Sequence, residues 1–102
     1  MARRNEFQAL LVNLAGGRAK VYYAPEDNTR ISYPAIIYRK DSEYRVSGNN
    51  SPYSRTNRYL VTIISSDPDD DLFEEVGDLP LCRFDRSFTA NQLYHHVFQI
   101  YF

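Results

Sequence analysis

The hydrophobic pattern of the segment RYLVTIIS, residues 58–65, predicts a central β-strand. Apolar or β-branched side chains occupy both alternating sets of positions, which is typical of a strand that is covered on both of its faces. The strand must end at Asp67-Pro68, because proline has no N–H to donate to a sheet. This pair resembles the N-cap and the first residue of a helix, so we predict a short helix from about Pro68 to Val76.

Another helix is predicted near the start of the sequence, from about Glu6 to Ala15. Asn5 and Gln8 have the spacing of a capping box, and Gly16-Gly17 follows at the point where a left-handed residue ends many helices. An amphipathic helix has apolar residues at i, i+3, i+4 and i+7, which form one buried stripe. That spacing is met by Phe7, Leu10, Leu11 and Leu14.

Further segments have the alternation or the β-branched and aromatic composition of strands. A turn at Asp41-Ser42 would separate two of them, and turn-forming residues make Gly48 to Thr56 an exposed loop. The predicted fold class is therefore α+β: a mainly antiparallel sheet of about five strands, with the N-terminal amphipathic helix and the second short helix packed on it. We expect one domain that spans residues 1–102. The further segments are Lys20 to Tyr23, Tyr33 to Lys40, Glu43 to Ser47, Leu81 to Phe88 and Leu93 to Phe102.

The composition narrows the class of protein. The 12 basic and 13 acidic residues give a formal net charge of −1, which argues against a protein that holds nucleic acid by bulk charge. Most of the basic residues are arginine, the cation that is enriched at protein interfaces. The single cysteine cannot form an intramolecular disulfide, and no stretch approaches the roughly 20 apolar residues of a membrane span. We therefore expect a soluble intracellular protein with no membrane partner.

No group of residues in the sequence has the pattern of a catalytic or metal site. His95 and His96 are neighbours on a predicted strand, so their side chains would point to opposite faces and cannot bind one metal ion together. A lone cysteine on a strand, such as Cys82, is typically a small buried apolar residue. The aspartates at 67, 69 and 71 resemble the start of a calcium loop, but Leu72 occupies the position that needs glycine. We expect no metal, no cofactor and no enzymatic activity.

The charged residues are unevenly distributed along the chain. Acidic residues concentrate between Asp67 and Asp78, whereas arginines are spread over other segments. Such a separation suits a head-to-tail ring, in which the acidic edge of one subunit contacts the arginines of the next. Scattered surface charge without any ordering role fits the same pattern equally well. The arginines concerned are Arg3, Arg4, Arg55, Arg58, Arg83 and Arg86.

From Phe7 to Phe102 the order of features resembles the small tail-completion or tail-terminator proteins of tailed bacteriophages. The amphipathic helix comes first, and the aspartate turn after the central strand and the Phe84-Asp85-Arg86 segment are among the more specific features. The segments that carry the resemblance are YPAIIY (33–38), NNSPY (49–53), TIISSDPDD (62–70), LPLCRFDRSF (79–88) and NQLYHHVFQIYF (91–102).

This resemblance implies an α+β protein that assembles into a ring, usually a hexamer, at the top of the tail tube. There it would stop tube polymerisation and present a surface to the head-tail connector protein, and DNA would later pass through the central hole without specific binding. The expected partners are other copies of the chain, the tail tube protein and the connector protein. The expected location is the neck of the virion, with assembly in the host cytoplasm.

The resemblance also assigns residues to contacts. Arg83 and Arg86 are implied to lie near a subunit contact. Related proteins often carry an alanine-aspartate-asparagine triplet where this sequence has Ser47 to Asn50, so no acidic contact is assigned there. The residues implied to lie on a loop that faces a neighbouring subunit or the adjoining ring are Asn49, Asn50, Tyr53 and Arg55.

Other functions remain open at this point. The same family contains connector or stopper proteins that lie one position nearer the head, and sequences of this length do not separate the two groups. A small nucleic-acid-binding module would use exposed tyrosine and arginine side chains on a sheet for base stacking and phosphate contact. A small hydrolase is a distant third, since the sequence has no nucleophile with a base at a recognisable spacing.

Overall fold

In a computed structural model of the chain, residues 3–26, 29–45 and 55–102 are described, without the side chains of residues 3, 42–45 and 55–56. They form two helices and five strands, which confirms the predicted α+β class. The elements in chain order are α1 (Arg3–Ala15), β1 (Lys20–Tyr23), β2 (Ala35–Arg45), β3 (Arg55–Ser65), α2 (Asp71–Gly77), β4 (Cys82–Ala90) and β5 (Leu93–Tyr101).

The strands form one sheet in the order β1-β2-β3-β5-β4, so β3 is the central strand, as the sequence predicts. The pairs β2/β3, β3/β5 and β5/β4 are antiparallel, whereas β1 and β2 are parallel. The sheet is therefore mixed rather than purely antiparallel. The connection between the two parallel strands returns past β1, since the backbone N–H of Ser32 donates a hydrogen bond to the hydroxyl of Tyr22 at 3.2 Å.

β2 differs from its prediction, because no turn occurs at Asp41-Ser42. The strand continues from Ala35 to Arg45, and a β-bulge at Asp41 shifts its register against β3. The Asp41 carboxylate forms an ion pair with Arg58 at 2.6 Å. The last backbone hydrogen bonds between β3 and the C-terminal residues join Asn57 and Phe102, so the last β2–β3 pairs, between residues 44–45 and 55–56, extend beyond them. We call these projecting residues the arm.

The first helix begins earlier than predicted and ends where predicted. α1 starts at Arg3, so Asn5 lies inside the helix and the predicted capping box is wrong. An N-cap residue has non-helical φ and ψ angles, which a residue inside the helix does not have. The helix ends at Gly16 and Gly17, whose φ values of +59° and +83° are left-handed and favour glycine.

The N-cap of α2 is Asp70, not Asp67 as the sequence predicts. The Asp70 carboxylate accepts hydrogen bonds from the backbone N–H of Leu72 at 2.9 Å and from the hydroxyl of Ser65 at 2.8 Å. Asp67 instead closes a preceding turn, where its Oδ1 accepts a hydrogen bond from the N–H of Asp69 at 2.9 Å. The helix therefore starts about one turn later than predicted.

Replacing Asp70 by alanine is expected to lower the free energy of unfolding by about 1–2 kcal/mol, because the cap of α2 and the bond from Ser65 are both lost. Asp67→Ala removes only an exposed turn contact and should cost about 0.5 kcal/mol or less. Urea unfolding followed by circular dichroism would compare the two variants. Equal losses would show that Asp70 is not the dominant cap.

Both helices pack on the same face of the sheet, which we call the helix face. In α1, the ring of Phe7 stacks on Tyr59 at a centroid distance of 4.5 Å and meets Tyr38 edge-on at 5.5 Å. In α2, the ring of Phe73 stacks on that of His96 at 3.8 Å. The core lies between these helices and the sheet. From the strands it includes Ile36, Tyr38, Tyr59, Val61, Ile63, Phe98 and Ile100.

The opposite face of the sheet carries neither helix, and we call it the open face. Leu60 and Thr62 of β3 are only half-buried there, whereas Ile64 on the same face is buried. The central strand is therefore covered on the helix face and only partly covered on the open face. Strand register places Arg39, Leu60, Gln99 and Arg83 side by side across the open face, from β2 to β4. This row therefore has an arginine at each end, with Leu60 and Gln99 between them.

Candidate functional site

β4 lies at one edge of the sheet and is exposed along its length. It pairs with β5 on one side only, and seven of its nine residues are exposed to solvent. A strand of a packed sheet normally buries at least one of its two faces. We call β4, together with Leu81 that precedes it, the β4 edge, and we take it as the candidate site.

Large apolar side chains on the β4 edge face solvent: Leu81 is 69% exposed, Phe84 58% and Phe88 44%. Phe84 lies on the helix face, where its ring meets that of Phe98 edge-on at 5.6 Å. Phe88 lies on the open face and stacks on His95 at 4.6 Å. The Phe84 ring also lies 6.1 Å from that of His96, yet both phenylalanine rings leave much of their surface exposed to solvent. Exposed large apolar side chains therefore lie on both faces of this edge strand.

A β-bulge at Asp85 brings Arg83 and Arg86 onto the same face. On a regular strand, residues three apart point to opposite faces, because side chains alternate. The bulge inserts one extra residue, so Arg83 lies opposite Gln99 and Arg86 lies opposite Val97, both on the open face. Both arginine side chains are exposed. The two arginines that the family resemblance assigns to a subunit contact are thus neighbours on an exposed edge.

An apolar pocket of about 270 Å³ opens beside the start of β4. It lies between Leu10 of α1, the connection from α2 to β4, and the last residues of β5. Leu81 lines it with a left-handed φ of +59°, a conformation that is costly for a residue other than glycine. The Leu81 carbonyl accepts a hydrogen bond from the N–H of Tyr101 at 3.1 Å, which ties this turn to β5. The pocket is wide enough to admit one apolar side chain.

The structure does not test the loop contact that the resemblance implies. Asn49, Asn50 and Tyr53 lie outside the described residues. Arg55 begins β3 in the arm, opposite Arg45, and only its backbone is described. Because β5 separates β3 from β4 in the sheet, Arg55 is not on a strand next to that of Arg83 and Arg86. The structure thus brings Arg83 and Arg86 together, while the loop contact stays a prediction.

Several arginines that the charge pattern groups together contact other residues of the same chain. Arg58 pairs with Asp41, and the Arg4 guanidinium lies 4.8 Å from the centre of the Tyr23 ring. Arg39, which the sequence analysis does not assign, lies on the open face with Arg83. The alternation of side chains in the sequence does not show which face of β2 packs against the helices. The position of Arg39 on the open face is therefore known only from the strand register.

The residues considered for chemistry are separated in the described part of the chain. His95 and His96 point to opposite faces, as predicted, since His95 stacks on Phe88 and His96 on Phe73. Cys82 is half-buried, and burial raises the pKa of its thiol. Among the described residues, no group of three or more His, Cys, Asp or Glu side chains is placed to hold a metal ion.

Stability is expected to fall as the pH is lowered through the titration of His96. Burial lowers the pKa of His96 below its ordinary value of 6.5, because the charged imidazole is poorly solvated beside Phe73. As the pH falls below about 6.5, the unfolded chain binds more protons than the native chain, so acid favours unfolding. Urea unfolding near neutral pH and near pH 5.5 measures the difference. His96→Gln is the control, and an equal loss of stability in this variant would contradict the assignment.

The comparisons with known proteins give no match: no protein-family model fits the chain, and no curated protein has a similar sequence. Within the described residues, neither helix is long and apolar enough to cross a membrane. The function proposed below is therefore argued from the sequence resemblance and from the geometry of the β4 edge.

Proposed function

We propose that the chain is a structural protein of a tailed-bacteriophage virion. It forms a ring, a hexamer by family resemblance, at the top of the tail, where it terminates the tail tube and joins it to the head connector. The observation that supports this proposal most directly is the β4 edge, an exposed surface that combines large apolar side chains with Arg83 and Arg86. A ring subunit needs such a contact surface on a rigid sheet.

The composition of the β4 edge favours a protein partner. Aromatic residues and arginine are enriched in protein interfaces, and Phe84, Phe88 and the two arginines of β4 supply both types. The bulge at Asp85 and the charges around it are devices that block the addition of a foreign strand to a sheet edge. Side chains of β4, rather than its backbone, therefore make the proposed subunit contact.

Arg86→Glu is expected to leave the fold intact and to block ring formation. Arg86 is exposed, so its replacement should change the free energy of unfolding by about 0.5 kcal/mol or less, whereas a reversed charge at a subunit contact repels its partner. Native mass spectrometry over a concentration series would compare the variant with the wild-type chain. Arg30→Glu, an exposed reversal in the connection from β1 to β2, is the matched control.

A closed oligomer for the wild-type and Arg30→Glu chains, with monomers for Arg86→Glu, would support the ring. An unchanged ring in the Arg86→Glu variant would remove Arg86 from the contact. The role in the tail is tested separately, by adding the purified protein to tail tube subunits during polymerisation. Electron microscopy should show shorter tubes with one ring at an end, and tubes of unchanged length would reject the tail-terminating role.

A further inference from the structure

The open face of the sheet is basic. Lys20, Arg39, Arg83 and Arg86 are exposed there, and none of them forms an ion pair with a described residue. The Asp41 carboxylate on this side is already paired with Arg58. Arg39 and Arg83 lie on β2 and β4, three strand spacings apart, which is about 14 Å.

α2, on the helix face, carries exposed carboxylates without partners in the described residues. Asp71, Glu74 and Asp78 recur at i, i+3 and i+7, so they form one stripe of about 10 Å along the helix. Glu75 is different, because it pairs with Arg18. Asp71 and Glu74 lie in the first turn of α2, where the helix dipole favours carboxylates, whereas Asp78 is the C-cap residue, at the end where the dipole disfavours them.

We infer that the open face of one copy docks on the α2 surface of a second copy, with its arginines against the acidic stripe. This inference rests on the proposed ring and names the contact within it. No ion pair among the described residues joins these carboxylates to the arginines of the open face, which lie on the other side of the sheet. The contact is therefore head-to-tail, and it repeats from one subunit to the next until the ring closes. The dimensions match, since arginine side chains bridge the difference between about 10 and 14 Å.

A second copy fits this face better than nucleic acid does. The centre of the face is apolar, with Ile37 and Leu60 between the flanking cations, and the net charge of the whole chain is −1. A net charge this close to zero gives a phosphate backbone little bulk attraction to the molecule. The acidic α2 surface, in contrast, supplies the opposite charge. Every copy of the chain carries one open face and one such surface, so each open face has one partner surface.

Charge reversal on each surface separately, and on both together, tests the contact. The first variant combines Arg39→Glu with Arg86→Glu, and the second combines Glu74→Lys with Asp78→Lys. Neither variant should associate alone, because like charges then face each other. An equimolar mixture should associate, since every contact in an alternating assembly pairs opposite charges. A single chain with all four changes should also associate by itself. Sedimentation velocity measures each case, and Arg30→Glu and Glu6→Lys are single charge reversals outside the proposed contact that serve as controls.

The outcomes separate this inference from the proposed function. Association of both variants as strong as that of the wild-type chain would overturn the docking and leave the ring intact. A wild-type chain that stays monomeric throughout would also overturn the docking, while the tube assay still decides the role in the tail. Binding of a 20-nucleotide single-stranded DNA that the first variant loses, with unchanged association, would instead assign the open face to nucleic acid.

Discussion

Phe98→Ala is expected to lower the free energy of unfolding by about 3–5 kcal/mol. The side chain is only 5% exposed and lies where α2, β3 and β4 meet. It faces Val61 across the strand pair, and its ring meets that of Phe84 at 5.6 Å. A Cβ placed on Gly77 would lie 3.3 Å from the ring, so the helix backbone approaches it closely. These closely packed neighbours cannot shift enough to fill the cavity that alanine would leave.

Urea unfolding monitored by circular dichroism would give the loss for Phe98→Ala. Phe88→Ala is the matched control, because it removes an equal ring that is 44% exposed on the open face. The control should lose far less stability, since much of its ring already contacts water. A Phe98→Ala variant with wild-type unfolding behaviour would contradict the placement of Phe98 on the helix face.

Phe7→Ala is expected to cost a similar amount, about 3–5 kcal/mol, and to detach α1 from the sheet. Phe7 is fully buried, at 0% exposure. Its ring stacks on Tyr59 at 4.5 Å and contacts Tyr38 at 5.5 Å and Phe102 at 5.1 Å. Aromatic pairs add to the free energy of burial, so one substitution here removes several contacts at once.

Val12→Ala provides the comparison within the same helix. Val12 is 47% exposed, and alanine has the higher helix propensity, so this variant should be as stable as the wild-type chain or slightly more stable. Thermal unfolding of the two variants would measure the difference. Equal melting temperatures for Phe7→Ala and Val12→Ala would mean that α1 does not dock through Phe7.

The elements that depend on local periodicity were predictable from the sequence. The apolar stripe of α1, the strand Lys20–Tyr23 and the central position of β3 all follow from spacing within a few residues. The start of α2 could not be predicted, because several successive aspartates are possible N-cap residues. The hydrogen bond from the Ser65 hydroxyl to the Asp70 carboxylate, which favours Asp70, is known only from the structure. The single long β2 was missed because its bulge resembles a turn in sequence.

The candidate site was predictable in part. The resemblance selected Arg83 and Arg86, but strict alternation would have placed them on opposite faces, and only the bulge at Asp85 brings them together. Arg58 was grouped with them, although its partner Asp41 is 17 residues away and becomes adjacent only through strand pairing. Long-range register is a property of the folded sheet, so charge patterns along the chain cannot reveal it.

The strand order has a consequence for the timing of assembly. β5 follows β4 along the chain, yet it lies between β3 and β4 in the sheet. β4 therefore cannot join the sheet until β5 has been synthesised and has paired with β3. A nascent chain that still lacks β5 has no ordered β4 edge to offer to another subunit. In the proposed ring, this order would keep chains on neighbouring ribosomes from associating through this surface before they are able to fold.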